Sequence, residues 1–236
     1  DLYHKLLMSR ALFLLFLGWH ILAQAQYQTW YGVELGFKPV KKTKVELGLQ
    51  HRMNGIKEWS RSYVQAKFHV KVVDGVQLFS GYRFGLLPNS NSDLDLNPTT
   101  YRHRTALGIT INPTDWMLDK TRLSFGLTAQ MQWNRAKFSR ERTVFRSKVN
   151  AKYDIEHFPL SPFISGEYFY DFKRDISYTE DEVLIEGGTK AFRWFGGFEI
   201  ELPKSHSFQL ALGKRTAFLS NRSYWIASLT YQVRIQ

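Results

Sequence analysis

From Gln28 onward apolar and polar residues alternate at period two, with Gly, Pro, Asn and Asp breaking the alternation about every ten to fifteen positions. Successive side chains of a strand point to opposite faces, so the pattern predicts strands rather than helices. Thr99 to Ile111 shows what kind. Tyr101, His103, Thr105, Leu107, Ile109 and Ile111 share one face, while Arg102, Arg104, Ala106, Gly108 and Thr110 share the other. A strand of this length can cross a bilayer, which takes roughly 9–11 tilted residues. To do so, its greasy face must meet lipid and its arginines a wet interior.

The same reading applies along the chain and predicts eleven strands. They run over Gln28–Lys38, Thr43–Met53, Trp59–Lys71, Val76–Leu86, Thr99–Ile111, Arg122–Trp133, Arg142–Ile155, Ser161–Phe172, Lys190–Leu202, Ser207–Thr216 and Ser223–Ile235. Asp74-Gly75 reads as a tight hairpin turn. Bacterial single-chain barrels have an even number of strands, so the expectation is an all-β, antiparallel up-and-down transmembrane β-barrel of about 10–12 strands. A soluble lipocalin-like barrel also alternates, with its apolar face inward. Three features favour lipid: glycine- and arginine-rich polar faces, aromatics such as Tyr101, Trp133, Trp194 and Trp225 near strand ends, and alternation of short and long connections.

The N-terminus supports export. Met8-Ser-Arg10 precedes the apolar run Ala11 to Leu22 and then Ala23-Gln24-Ala25, the pattern of a cleaved secretory signal peptide. The apolar run is shorter than the roughly 20 residues of a helical span. Residues 1–25 therefore read as an upstream extension plus signal peptide, and residues 26–236 as one barrel domain in the outer membrane of a Gram-negative bacterium. The 236 residues contain no cysteine, so disulfides cannot support the fold. The net charge of +11 would suit nucleic acid in another setting. Export points instead to outer-membrane lipid, lipopolysaccharide and small anionic solutes. No pattern in the sequence specifies an oligomeric state.

Gln28-Thr-Trp30, the strand pair ending in Arg52, the Arg102-x-Arg104 strand and Pro162-Phe-Ile-Ser-Gly-Glu167-Tyr-Phe169 together resemble an uncharacterised outer-membrane β-barrel family, domain of unknown function 2490. The resemblance spans nearly the whole mature chain through short motifs. It implies an outer-membrane barrel and no particular activity.

Parity assigns Arg52, Arg61, Arg83, Arg102, Arg104, Arg122, Arg142, Arg146, Lys148, Lys152, Arg193 and Arg215 to the inward faces, with Glu34, Glu46, Glu167, Asp171, Glu199 and Glu201 as their acidic counterparts. Such a wall is either an ion-pair network filling a narrow lumen or the lining of a small, weakly anion-preferring channel. Enzymatic readings need a nucleophile, a base and an orienting group together. His51 and His103 fall on the lipid side. His69 faces inward, where Ser124, Ser165 and Ser228 are the available hydroxyls, and the chain lacks the His-x-Ser-Asn-Gly run of outer-membrane phospholipases. A lipid- or lipopolysaccharide-modifying enzyme and a soluble secreted ligand-binding barrel are the alternatives.

No cofactor or metal site is expected. Asp93-x-Asp95-x-Asn97 opens like a calcium loop, but Pro98 stands where that motif needs Gly. Asp175, Glu180, Asp181, Glu182 and Glu186 read as a solvated acidic loop over Lys173–Gly188. Arg135, Lys137 and Arg140 are placed to pair with lipopolysaccharide phosphates.

Overall fold

The computed structural model describes residues 27–55, 58–88, 99–114, 122–136, 139–156, 158–178, 183–218 and 222–235. Residues 1–26, where a signal peptide is expected, and the Asp93–Asn97 segment lie outside them. Among the described residues eleven strands close into one barrel: β1 (Tyr27–Phe37), β2 (Thr43–Asn54), β3 (Glu58–Val73), β4 (Val76–Pro88), β5 (Thr99–Ile111), β6 (Leu123–Ala136), β7 (Ser139–Tyr153), β8 (Leu160–Tyr178), β9 (Val183–Leu202), β10 (His206–Ala217) and β11 (Arg222–Ile235). Each neighbouring pair in sequence is antiparallel. The pair that closes the barrel, β1 with β11, is parallel, running from Tyr27↔Trp225 to Phe37↔Ile235.

The parallel seam follows from the odd count. Strands that alternate in direction leave the first and the eleventh pointing the same way. The first strand is therefore a full wall strand, but its pairing on the β11 side is the slanted parallel kind. The start of β1 is tied to the β2–β3 connection, where the Gly55 N–H donates to Tyr27 O at 2.8 Å and the Thr29 hydroxyl donates to Gly55 O at 2.8 Å. One rim thus carries the start of β1 and the β2–β3, β4–β5, β6–β7, β8–β9 and β10–β11 connections, and is called the loop rim below. The opposite rim, here the turn rim, carries the others and the end of β11.

Side-chain orientation is inside-out relative to a soluble barrel. Val33, Leu49, Val64, Leu107, Val149 and Ile164 stand exposed on the outer wall, whereas Gln132, Ser165, Glu167, Arg193 and Glu199 are buried inside. This is the reverse of a lipocalin-like arrangement and the one a lipid-facing wall demands. Outward aromatics pair across strands near the rims. Trp194 and Trp225 meet edge to face at 5.8 Å, and Phe84 stacks on Tyr101 at 6.2 Å.

Among the described residues an apolar cluster lies inside. Trp30, Phe195 and Ile226 pack together beside Phe163, Ala211 and Tyr224, with the Trp30 and Phe195 rings 5.8 Å apart. Ile226 is fully buried, which contributes about 1.5–3 kcal/mol. The cluster braces the closing seam from within.

The connections depart from the expected short–long alternation. Strands β6 and β7 leave only 137–138 between them on the loop rim, while 112–122 separates β5 from β6 on the turn rim. Asp74-Gly75 forms the expected tight turn, with Val73 opposite Val76 and Gly75 at φ 73°, a left-handed conformation that glycine adopts at no steric cost. The acidic stretch after Phe172 is a correction. Over its described residues it is strand rather than loop, because β8 and β9 continue as a paired hairpin from Asp175↔Glu186 to Tyr178↔Val183, whereas Glu180, Asp181 and Glu182 lie outside the described residues. Backbone pairing holds this segment extended, beyond register shifts at Phe169/Tyr170 and Asp171/Asp175.

Candidate functional site

The barrel encloses a cavity of about 850 Å³. Among the described residues its basic lining comprises Arg52, Arg61, Lys67, Arg83, Arg102, Arg104, Arg142, Arg146, Lys148, Lys152, Lys190, Arg193 and Arg215, and its carboxylates Glu34, Glu46, Glu167 and Glu199. Positive charge is therefore in clear excess. Arg122 lies elsewhere, just before β6, where it pairs with Glu156. Glu201 is half-exposed near the turn rim and within 3.6 Å of Lys152 Nζ. Asp171 is buried and pairs with Lys190 at 3.2 Å.

The acids are not spread evenly along the axis. Near the turn rim, Glu46 is met by Lys44 at 2.7 Å, Lys67 at 3.2 Å and His69 at 3.3 Å. Glu199 there is met by Arg234 at 2.7 Å and Lys152 at 3.2 Å. At mid-height Glu167 bridges Arg146, at 2.7 Å, and Arg193, whose Nε donates at 2.9 Å. These pairs brace the lumen, since removing charges from water is tolerated only where partners replace it.

Towards the loop rim Lys190 keeps the carboxylate of Asp171, but on β2, β4, β5 and β10 the arginines' partners are neutral oxygens. Arg52 donates from Nε and a terminal nitrogen to Gln50 Oε1, at 2.9 and 2.6 Å. Arg83 donates to Gln65 Oε1, and Gln65 in turn reaches Glu34 at 3.4 Å. Arg104 donates to Asn134 Oδ1 at 2.6 Å, and Arg215 to the Tyr224 hydroxyl at 2.8 Å. Rings cover the guanidinium faces. The Arg52 guanidinium carbon is 3.7 Å from the centre of the Trp30 ring and 4.9 Å from that of Tyr63, and Arg193 lies 5.0 Å from Trp30 on its own side. Stacking and amide acceptors fix these side chains without cancelling their charge.

Lys67 and Tyr63 share the inward parity of Arg61, whereas Lys190 is off the parity of Arg193 and lies opposite the register shift at Phe169/Tyr170, so parity missed it. Trp30 shares inward parity with Glu34, and that was the available signal. His69 meets Glu46 and Phe79, and neither ring nitrogen makes a hydrogen bond to a described residue. The Ser124 hydroxyl donates to Lys152 O at 3.3 Å. The inward histidine and the serines therefore form no nucleophile–base pair.

Among the described residues the outward histidines each have a hydroxyl partner on a neighbouring strand. His103 Nδ1 is 2.6 Å from the Tyr82 hydroxyl, His206 Nδ1 is 2.5 Å from that of Tyr231, and His51 Nδ1 is 2.9 Å from Ser62 Oγ. The last pair borders an apolar groove of about 500 Å³ on the outer wall, with Tyr31, Val33, Leu49, Val64, Phe84 and Phe208 among its lining. Of the basic residues expected near lipopolysaccharide, Arg135 is exposed and 3.8 Å from Glu141. Lys137 lies outside the described residues, and Arg140 is described only as backbone of β7.

No protein-family model matches the chain, and no curated protein sequence matches it. Among solved structures, LpxR from Salmonella typhimurium superposes with a TM-score of 0.51 at 10% sequence identity, over 81% of this chain and 83% of that one. At that identity the likeness shows the fold alone, a β-barrel architecture shared over most of both chains.

Proposed function

We propose that this chain is an outer-membrane β-barrel whose lumen admits small anions in preference to cations, and that it belongs with the domain-of-unknown-function barrels its motifs resemble. The observation that carries the channel reading is the basic excess along the interior cavity. A charged ring in a confined, low-dielectric wall raises the local concentration of the opposite ion. The leader, the outward apolar wall and the rim aromatics support the location. Purified protein in a planar bilayer under a KCl gradient should give a reversal potential shifted towards that of chloride. A non-conducting barrel would leave only the structural-network version, and recovery in the soluble periplasmic fraction would defeat the membrane assignment.

A second reading has its own observation, the His51–Ser62 pair at the outer groove. The indole N–H of Trp59 donates to Ser62 Oγ at 3.0 Å, and an indole nitrogen can only donate. Ser62 thus accepts from Trp59, and its own hydrogen is free to turn to His51 Nδ1. That is the geometry of a nucleophile and its base, on the side where an acyl chain lies. A lipid-directed acyl hydrolase should lose activity on mixed micelles in Ser62→Ala. Equal activity in that variant removes this reading.

A further inference from the structure

The register places like charges directly opposite one another inside the wall. Arg52 pairs with Arg61 across β2–β3, and Arg83 with Arg104 across β4–β5. Directly opposed side chains on one face have Cβ atoms about 4.5–5.5 Å apart, and like charges there are destabilising. Both pairs sit towards the loop rim. Among the described residues no carboxylate is within ion-pair distance of any of the four, and the hydrogen-bond acceptors of Arg52, Arg83 and Arg104 are the neutral oxygens of Gln50, Gln65 and Asn134.

That arrangement resembles a receptor more than a brace. A brace would oppose Arg with Glu, as Glu167 does for Arg193. Here the amides orient the guanidinium groups, the carboxylate of Glu34 stands one residue away behind Gln65, and Tyr63 lies beside both Arg52 and Arg83, at 4.9 and 5.2 Å. The residue type also discriminates. A simple cationic field needs only point charges, which lysine supplies. Planar forks set side by side suit an oxyanion that takes two parallel N–H···O bonds from each.

We infer that the opposed arginine pairs near the loop rim, Arg83/Arg104 foremost, form a binding site for soluble phosphate-bearing anions inside the lumen. This rests on the anion-admitting reading and names its solute class. A polyanionic phosphate bridging the two guanidinium groups supplies the countercharge that the wall omits. A phospholipid is a poor occupant, because its acyl chains would have to enter a polar lumen.

The test uses the full folded barrel in detergent and inorganic pyrophosphate as probe, with binding read by titration calorimetry. The variant is Arg83→Lys/Arg104→Lys, which keeps charge and removes the forks, with Arg104→Lys alone as the fallback should the double variant not fold. Pyrophosphate should bind the parent protein, and the lysine variant should bind at least about tenfold more weakly. Equal affinity in the lysine variant, or no binding to the parent, overturns the site. So does binding of short-chain phosphatidic acid micelles without pyrophosphate binding. An anion current without pyrophosphate binding defeats the site and spares the channel, whereas binding without current does the reverse.

Discussion

The guanidinium carbon of Arg52 lies 3.7 Å from the centre of the Trp30 ring, a cation stacked on the largest aromatic face of the inner wall. Arg193 approaches the same ring at 5.0 Å, and Tyr63 flanks Arg52 at 4.9 Å. Trp30 therefore joins the apolar brace at the seam to the cationic wall. It occupies lumen space that would otherwise hold water, and it holds two positive charges at fixed positions.

Replacing this ring should act on stability and conductance in opposite directions. Trp30 is 5% exposed, and loss of a buried Trp side chain costs about 3–5 kcal/mol. The low end applies, because water can enter the vacated space. Trp30→Ala should unfold at lower urea concentration in detergent and, if it inserts, show larger single-channel conductance than the parent. An unchanged conductance would mean that the ring does not limit the open path.

Glu167 tests the bracing function of the ion pairs. It is 4% exposed and serves both Arg146 and Arg193. Glu167→Gln leaves two cations near one another without their carboxylate, and breaking a buried pair in this way costs about 3–5 kcal/mol. The variant should lose stability of that order while its anion preference increases, both readable by urea titration and reversal potential. Unaltered stability would show that lumen water already compensates the arginines.

Much of the fold was legible because period-two alternation survives in a barrel wall whatever the closure. The strand over Thr99–Ile111 carries the same bounds in sequence and structure. Parity also foretold which side Arg102, Arg104 and Glu167 share. It could not foretell partners. Whether Arg83 meets a carboxylate or Gln65 depends on strand register, which inter-strand pairing sets and local sequence does not display. Nor does alternation distinguish paired strands from a polar loop where residues 173–187 are charged, so the β8–β9 extension went unread. The parallel seam was hidden for the same reason, since closure joins the two ends of the chain.

That seam makes a prediction with a sharp geometric signature. In a parallel pair the sequence offset between partners is constant, so Thr29↔Ala227 and Val33↔Tyr231 are both neighbours. In any antiparallel closure at most one of these two pairings can exist. The chain has no cysteine of its own, so Thr29→Cys with Ala227→Cys, and separately Val33→Cys with Tyr231→Cys, can each be oxidised without competition. Both double variants should form an intramolecular crosslink, seen as altered gel mobility reversed by reductant. Crosslinking of one pair alone would point to an antiparallel closure with a different strand count.

Two adjacent glycines in β9 should respond in opposite ways to one methyl group. At Gly197, which faces inward, a Cβ would stand 2.8 Å from the Ala211 Cα and closer still to the Leu210 carbonyl oxygen, both backbone atoms of β10. Backbone cannot move aside without disturbing the Gly197↔Ala211 ladder position. At Gly196, on the outer face, a Cβ meets nothing within 4 Å. Gly197→Ala should therefore strain the β9–β10 pairing by about 1–3 kcal/mol, the usual range for overpacking, with reduced yield of heat-modifiable folded barrel. Gly196→Ala should fold like the parent, or slightly better, because alanine lowers the conformational entropy of the unfolded chain. Equal folding of the two variants would mean that the strands approach less closely at Gly197 than the structure shows.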